Sequence, residues 1–516
     1  MKKILFGGNQ SMENSLSKQS HPRLSKRNLW TFSIGCVGRD MICTGLFNGQ
    51  LLNYVYFTKQ LTASQLGVLT LLMTLAKVFD AFNDPVMGNI IDATHTKWGK
   101  FKPWICIGMI GTSFVVAASF CNTLQGWSYV TFFGIMYFIY SIVFTMNDIA
   151  YWGMIPSLAK EPNDRNRLSS LTALCANLGA GSCGILIPIL TTGSLALNGS
   201  AVYAYRILSI IFVSLFIIIQ SITLVGVKEE PEQRLSTGNR VSLKQVVNVF
   251  KKNDQLRWIS FVFLMIQLVP GALLTMFIYF AFGYNGTLLT LFYVFSSVAT
   301  LAVNIFYPSL NRRFSRKQML LIGLISQIIG NVLMFVIFCA VPNDTFSFVI
   351  PFFNAEVTLK FILMAAVYFF CGFASTTYYM VLVVCIANTT EYNELITGER
   401  NEGVIFASRA FLVKLGNAIT TLFVMLFYII IGIRDTTDKI AELEQAANMG
   451  TISGDAKMSQ ITQIISQVPD SKTVGLLLVI TITPILCYLI SYTAFSRKFK
   501  ISEEYYEEIT AQLESK

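Results

Sequence analysis

Carboxylates stand inside a stretch that otherwise reads as a membrane-spanning helix. The run VFDAFNDPVMGNIID, residues 78–92, carries Asp80, Asp84 and Asp92 among apolar neighbours. Lys77, Asp80 and Asp84 fall at i, i+3 and i+7, so a helix puts them on one face. An ionised group at bilayer depth costs at least about 2.5–3.5 kcal/mol, so several together require a compensating partner. An ion pair with Lys77 would account for one acid and leave the other, and the pair therefore reads as a cation site. Asn83 and, further along, Thr145 offer neutral oxygens beside the charged ones. Hard cations take such oxygen ligands, which favours sodium at Asp80 and Asp84. A proton needs only a titratable carboxylate, and the same acids serve that alternative. Pro85 and Gly88 follow, as breakers do in spans that bend around a polar cavity.

Other charges reach the same depth. At 1.5 Å per residue from the basic ends of their helices, Asp40 and Lys414 lie about 15 Å in, Asp84 about 13 Å and Asp148 about 12 Å. Asp80 lies nearer the middle. Four helices thus present ionisable groups to one layer, which calls for a shared aqueous cavity. The competing explanation is a pair of locks, Asp40–Arg39 and Asp148–Lys414, though buried ion pairs stabilise poorly compared with apolar packing. Trp152, beside Asp148, could stack on a sugar ring while Asp40 and Asp148 accept hydroxyl hydrogen bonds. An interfacial anchor is the other reading of Trp152 and the preferred one for Tyr151.

The elements that must hold these groups follow from composition. Of 516 residues 53% are hydrophobic and only 13% charged, unlike an ordinary soluble enzyme. Apolar blocks of about twenty residues predict twelve spans, each able to cross roughly 30 Å of hydrocarbon. Their predicted ranges are 30–57, 65–92, 103–121, 127–156, 168–191, 202–226, 257–282, 288–310, 318–340, 358–388, 404–433 and 473–495. Residues 1–29 read as a cytoplasmic tail, 30–226 as a first six-helix bundle and 227–256 as a cytoplasmic linker. Val246, Val247 and Phe250 give that linker a short amphipathic helix. Residues 257–495 form a second bundle and 496–516 a cytoplasmic tail, with 434–472 a mixed-charge outer loop.

The formal charge of +10 is concentrated in loops such as Lys97–Lys102, Arg165–Arg167 and Arg312–Lys317, on the side of the amino terminus. This is the positive-inside pattern, with an affinity for anionic lipid, and it excludes a nucleic-acid reading. The ten cysteines lack CxxC spacing and the histidines are only His21 and His95, so neither a disulfide framework nor a zinc centre is expected. An embedded enzyme would need a nucleophile–base pair that this inventory does not offer. Between spans 10 and 11 the stretch 388–403 holds Glu391, Glu394 and Arg400. It could close an inner gate on Arg165, Arg167 or Arg312, or stay solvated, since exposed pairs are worth little.

Six spans, a linker and six more suggest two related halves, with Asp92 and Lys97–Lys100 echoed faintly by Asn311–Lys317. These stretches resemble the glycoside–pentoside–hexuronide:cation symporters, a branch of the major facilitator superfamily. The likeness rests on DAFNDPVMG (80–88) with Asp92, WGKFKPW (98–104), GRD (38–40), DIAYW (148–152), DRNRL (164–168), EYNE (391–394) and GER (398–400). It implies that Asp80 and Asp84 hold the coupling cation with Asn83 and Thr145. It implies also that Asp40, Asp148, Trp152 and Lys414 line a sugar site with Arg39 beside it, and it places the span 10 aromatic at Tyr379. The chain departs from the pattern at Lys77, where arginine is usual, and at residues 169–174, which lack a basic side chain.

The expectation is an all-α membrane protein of the major facilitator fold, a multi-pass monomer of the plasma membrane with both termini cytoplasmic. It would import a sugar or glycoside with a monovalent cation, sodium before proton, without covalent chemistry or any other cofactor. A proton-coupled carrier of a lipid or drug is the alternative, and it predicts a greasy cavity.

Overall fold

The computed structural model describes residues 24–159, 161–229, 243–342, 345–351, 353, 355–399 and 401–515. Most of the amino-terminal tail, the middle of the linker and Arg400 lie outside the described residues. Ser25 caps α1 (Lys26–Asp40), its hydroxyl accepting from the Asn28 N–H, so the first span begins inside the segment assigned to the tail. The rod continues through a π-helical stretch, Met41–Asn48, into α2 (Gly49–Thr58). Wide π turns are uncommon and concentrate at functional sites; this one starts immediately after Asp40. A capping box, Thr62 with Gln65, opens α3 (Ala63–Asp92). The first bundle is completed by α4 (Lys102–Cys121), α5 (Gly126–Leu158), α6 (Pro162–Thr191) and α7 (Ala201–Gly226).

In the linker lies α8 (Leu243–Lys252), where a helix was expected; the side chains of Val246 and Val247 lie outside the described residues. Span 7 is two helices, α9 (Asp254–Gln267) and α10 (Gly271–Phe282). They break at Leu268–Pro270, because proline has no N–H to continue the ladder. The second bundle proceeds through α11 (Gly286–Arg313) and α12 (Arg316–Ala340). A small antiparallel hairpin, β1 (Ser347–Ile350) with β2 (Ala355–Thr358), precedes α13 (Leu359–Thr397). Then come α14 (Glu402–Ile431), α15 (Arg434–Asn448), α16 (Gly454–Ser466) and α17 (Asp470–Lys498), with α18 (Glu503–Glu514) in the tail.

Eleven helices among the described residues are long and apolar enough to cross a membrane, and the rod from Lys26 to Thr58 supplies another crossing. Ile110, Phe114 and Ile218 leave 59–63% of their surface uncovered on the bundle exterior, as a lipid-facing wall requires. Two expectations need correction. Residues 434–472 are largely the helices α15 and α16, not a loop. Residues 388–397 are the last turns of α13, which stops only at Gly398, where φ is 73°. Glycine takes that left-handed conformation without a Cβ penalty.

The bundles share an apolar core on one side only. On the face away from the termini, Tyr56 stacks on Tyr428 at 4.6 Å and Phe57 meets Tyr279 and Tyr284 at 5.4 and 5.5 Å. On the terminus face each bundle has its own core, around Phe32, Ile105 and Tyr151 in the first and Leu256, Leu382 and Phe495 in the second. The molecule is therefore sealed at the far face and divided near the termini.

A helical cap reinforces the seal. Residues Thr437, Ile440, Ala441 and Glu444 are buried along one stripe of α15. Glu444 accepts from the Ala201 N–H of α7 at 2.6 Å and from Lys457 of α16 at 2.8 Å, both ion-pair side chains being fully buried. Burial pushes the Glu444 pKa up, while Lys457 and the Ala201 N–H pull against it. Removing one partner of a buried pair costs about 3–5 kcal/mol, because the other charge is left uncompensated. Lys457→Met should therefore lower the melting temperature of detergent-purified protein more than the double variant E444Q/K457M does. Near the first bundle's charged layer, α6 approaches α1 so closely that a Cβ on Gly179 would strike the Val37 carbonyl and lie 3.0 Å from the Met41 nitrogen. Overpacking of this kind costs about 1–3 kcal/mol. Gly179→Ala is expected to melt earlier, and an unchanged melting curve would refute the close-approach argument.

Candidate functional site

One cation organises the first cluster. Arg39 closes α1 and is 96% buried, so its guanidinium must be compensated. It pairs with Asp40 at 2.8 Å and with Asp148 of α5. The Asp40 carboxylate also accepts from Thr44, one turn on, at 2.8 Å and from the Cys36 thiol at 3.2 Å. Three rings lie about the guanidinium carbon: Trp152 at 5.3 Å, Tyr151 at 5.6 Å and Phe144 at 5.8 Å. Tyr151 is fully buried, stacked on Phe32 at 4.4 Å, so it is a packing residue and no interfacial anchor. Trp152 by contrast keeps 38% of its surface open, and Asp148 keeps 30% of its side chain. An aromatic face and two carboxylates held apart by one guanidinium are thus presented together, an arrangement suited to a polyol ring.

The second cluster bridges the bundles. Lys414 of α14 reaches Asp84 at 2.5 Å and Asp80 at 3.9 Å, both on α3. Asp80 accepts from the Ser141 hydroxyl and Asp84 from Thr145 at 3.1 Å, both donors on α5. Asn83 lies beside them with its amide nitrogen buried and unpartnered. Two carboxylates and two hydroxyls therefore converge where an ammonium now sits, oxygen donors of the kind a small hard cation takes. The acids point inward from one face of α3, as their spacing predicted.

Pairing differs from the locks considered from sequence. Lys414, placed with Asp40 and Asp148, joins Asp80 and Asp84 instead, and Arg39 takes both Asp40 and Asp148. Lys77 forms no ion pair among the described residues; its ammonium lies 5.6 Å from the Tyr137 ring. Tyr379 of α13 is 39% exposed and 5.9 Å from Phe263, in the second bundle alone. Of the gating set, Asp92 pairs with Lys100 at 2.8 Å within the first bundle, and Arg165 is exposed at the start of α6. Glu391 and Glu394 occupy the last turns of α13, and Arg400 lies outside the described residues. Sequence reasoning missed Thr44 and Ser141. Each sits four residues from a named site residue, Asp40 and Thr145, so helical spacing was the available signal.

Toward the sealed face, about one turn beyond the second cluster at Lys77 and Asn417, a cavity of about 750 Å³ lies between the bundles. Helices of both halves wall it, α3 and α6 from the first and α10, α11 and α14 from the second.

The sequence model of the MFS/sugar transport protein family matches residues 41–503. A lactose permease of Lactobacillus delbrueckii subsp. bulgaricus is 26% identical over 459 residues, covering 87% of this chain and 66% of that protein. This chain thus spans about two thirds of that relative's length. The raffinose carrier protein of Pediococcus pentosaceus is 23% identical over 94% of this chain and 70% of its own. For the glucuronide carrier protein homolog of Escherichia coli the identity is 23% and the shares are 77% and 82%. Among solved structures, a D-xylose–proton symporter superposes with a TM-score of 0.53 at 13% identity, covering 87% of this chain and 98% of its own. A bacterial homolog of the human lysosomal transporter Spinster, inward-facing and unoccupied, gives 0.55 at 13% identity over 92% and 97%. A match across nearly all the spans, on a chain whose intramembrane acids converge in two clusters, means that this protein belongs to the MFS/sugar transport protein family, in its glycoside–pentoside–hexuronide:cation symporter branch.

Proposed function

We propose that this chain imports a sugar or glycoside together with a monovalent cation, by alternating access. The observation that carries this reading is the Lys414 ammonium of one bundle resting on Asp84 and Asp80 of the other. A cation arriving at those acids competes with the ammonium, so binding and bundle contact are linked, and linkage makes the effect on sugar affinity mutual. Sodium is favoured over a proton by the hydroxyls of Ser141 and Thr145 beside the carboxylates. The sugar site comprises Asp40, Asp148 and Trp152, with Arg39 fixing the acids. Lactose, raffinose and isoprimeverose carriers among the relatives support a saccharide cargo.

The basic loops favour a cytoplasmic terminus face. With the far face sealed, the conformation is then inward-facing. A monomer in the plasma membrane, in contact with anionic lipid, completes the reading. Purified protein titrated with a panel of glycosides, in sodium and in choline at two pH values, tests it. Sugar affinity should rise severalfold with sodium; equal affinity in all four conditions would overturn cation coupling. Binding of lipids or drugs but no glycoside would favour the proton-driven alternative.

A further inference from the structure

The helical cap is inserted in the chain of the second bundle, between α14 and α17, and is pinned to that bundle at its base. Thr437 of α15 shares a hydrogen bond with Tyr428 of α14, and Lys472 at the start of α17 donates to the Gly432 carbonyl at 2.5 Å. Yet the surface it covers belongs to the first bundle. Helix α15 packs on α2 and α7, and α16 on the short turns Gly193–Leu195 and Leu197–Gly199. There the approach is backbone to backbone, since a Cβ on Gly454 would lie 3.1 Å from the Gly199 Cα. The cap is thus a strap across the sealed face, from one half to the other.

Its polar bonds to the first bundle go to the ends of helices and the turn between them. Gln445 donates to the carbonyl of Thr58, the last residue of α2, at 2.8 Å, and Arg434 to the Leu61 carbonyl at 3.1 Å. Ser200, before α7, donates to the Glu444 carbonyl at 2.9 Å, and the Ala201 N–H to the Glu444 carboxylate at 2.6 Å. Terminal groups of this kind have no partner within their own helix, and water can satisfy them in place of a side chain. The charges are arranged differently. Arg434 has its counter-ion Asp438 one turn on at 3.1 Å, and Glu444 has Lys457 at 2.8 Å, all four on the cap. Lifting the cap therefore leaves both pairs intact, whereas an ion pair split between cap and bundle would leave two orphaned charges.

We propose that α15 and α16 form a releasable latch, which travels with the second bundle and lets go of α2 and α7 whenever the sealed face opens. The hydrogen bonds of Arg434, Ser200, Glu444 and Gln445 then set how often that face opens. The inference rests on the alternating-access reading above and assigns the control of one of its two states to a segment remote from both charged clusters.

The test reads the opening directly. Thr421 of α14 lines the cavity below the seal, and Thr421→Cys gives a thiol there. A membrane-impermeant maleimide is added to intact cells, and its rate of labelling is measured. Cys121 and Cys339, the native thiols at the outer ends of α4 and α12 that are not buried, are first replaced by serine. Gln445→Ala removes one neutral hydrogen bond of the latch and should raise the rate about 2–10-fold. Gly454→Gln wedges α16 from Gly199 and should raise it about 5–150-fold, as overpacking does at a contact this tight. Glu442→Gln, exposed on the same helix as Gln445, should stay within twofold of the parent. Melting curves in detergent verify that each variant is folded. Unchanged labelling in both latch variants would overturn the latch and make the cap a static cover. Labelling of the parent as fast as that of a surface thiol would overturn the closed outer face and the latch with it. Glycoside binding with and without sodium is measured in parallel on the parent. If it fails while the labelling differences persist, the cargo reading falls and the latch stands.

Discussion

Asp84→Asn is expected to weaken cation-dependent sugar binding by about 30–150-fold, and Lys414→Met to move cation affinity the opposite way. The first expectation follows from the contact at 2.5 Å between Lys414 and Asp84, whose side chains are 23% and 31% exposed. Truncating one member of a charge pair costs about 2–5 kcal/mol when buried, and partial exposure here favours the lower part of that range. At 1.4 kcal/mol per decade, a loss of about 2–3 kcal/mol gives the stated factor. Removing the ammonium instead leaves Asp80 and Asp84 without their resident counter-charge, so a free cation binds them more tightly. Its binding then no longer separates Lys414 from the other bundle, and the dependence of sugar affinity on cation should fade. Sodium titrations of both variants, with and without glycoside, separate the two effects. A Lys414→Met protein that binds cation more weakly than wild type would show the lysine to be scaffolding and would sink the competition argument.

What could be read in the sequence was what depends on local spacing. Twelve crossings, the inward face of α3 and the common depth of Asp40, Asp84, Asp148 and Lys414 all follow from rise per residue and apolar block length. The pairing did not follow. Arg39 and Lys414 are each near several acids in depth, and only the rotation of α1 and α14 about their axes chooses between them. Spacing fixes that rotation no better than to a broad face. The cap was missed for a different reason. Mean hydropathy registers α15 as polar, although Ile440, Ala441 and Glu444 recur at helical intervals and are buried. The π-helical stretch after Asp40 has no pattern in residue type that marks it, and the packing of Gly45 against Ala180 and Cys183 shows the tertiary contact that accompanies it.

The arrangement of charge explains why two clusters exist where one would bind a cation. Arg39, Asp40 and Asp148 all belong to the first bundle, so in the proposed alternating-access cycle a rocking of the bundles leaves their pairing in place. Lys414 belongs to the other bundle, so in the same proposed cycle its hold on Asp80 and Asp84 would be made or broken by the rocking. On the proposed function, a permanent pair preorganises the sugar site, while an exchangeable one reports the state of the cation site.

Arg39 should accordingly be the least replaceable side chain in the first bundle. It is 4% exposed and forms ion pairs with Asp40 and Asp148 at once. Arg39→Met leaves two carboxylates facing one another without a counter-charge. Breaking a fully buried pair costs about 3–5 kcal/mol; water at Asp148, 30% exposed, limits the loss to about 3 kcal/mol. That is a large part of the 5–15 kcal/mol by which folded chains are ordinarily stable. Arg39→Lys keeps the charge but not the planar fork, and one ammonium cannot span both acids as the guanidinium does. The expected order of melting temperature in detergent is wild type, then Arg39→Lys, then Arg39→Met. The double variant R39M/D148N should melt above R39M, because it removes one of the two orphaned charges. Sugar binding should stay lost in that double variant, since Asp148 is itself a ligand in the proposed site, and this separates the fold from the site. If R39M melted with the wild type, the guanidinium would not be holding the two acids, and the preorganised site inferred from their spacing would have no support.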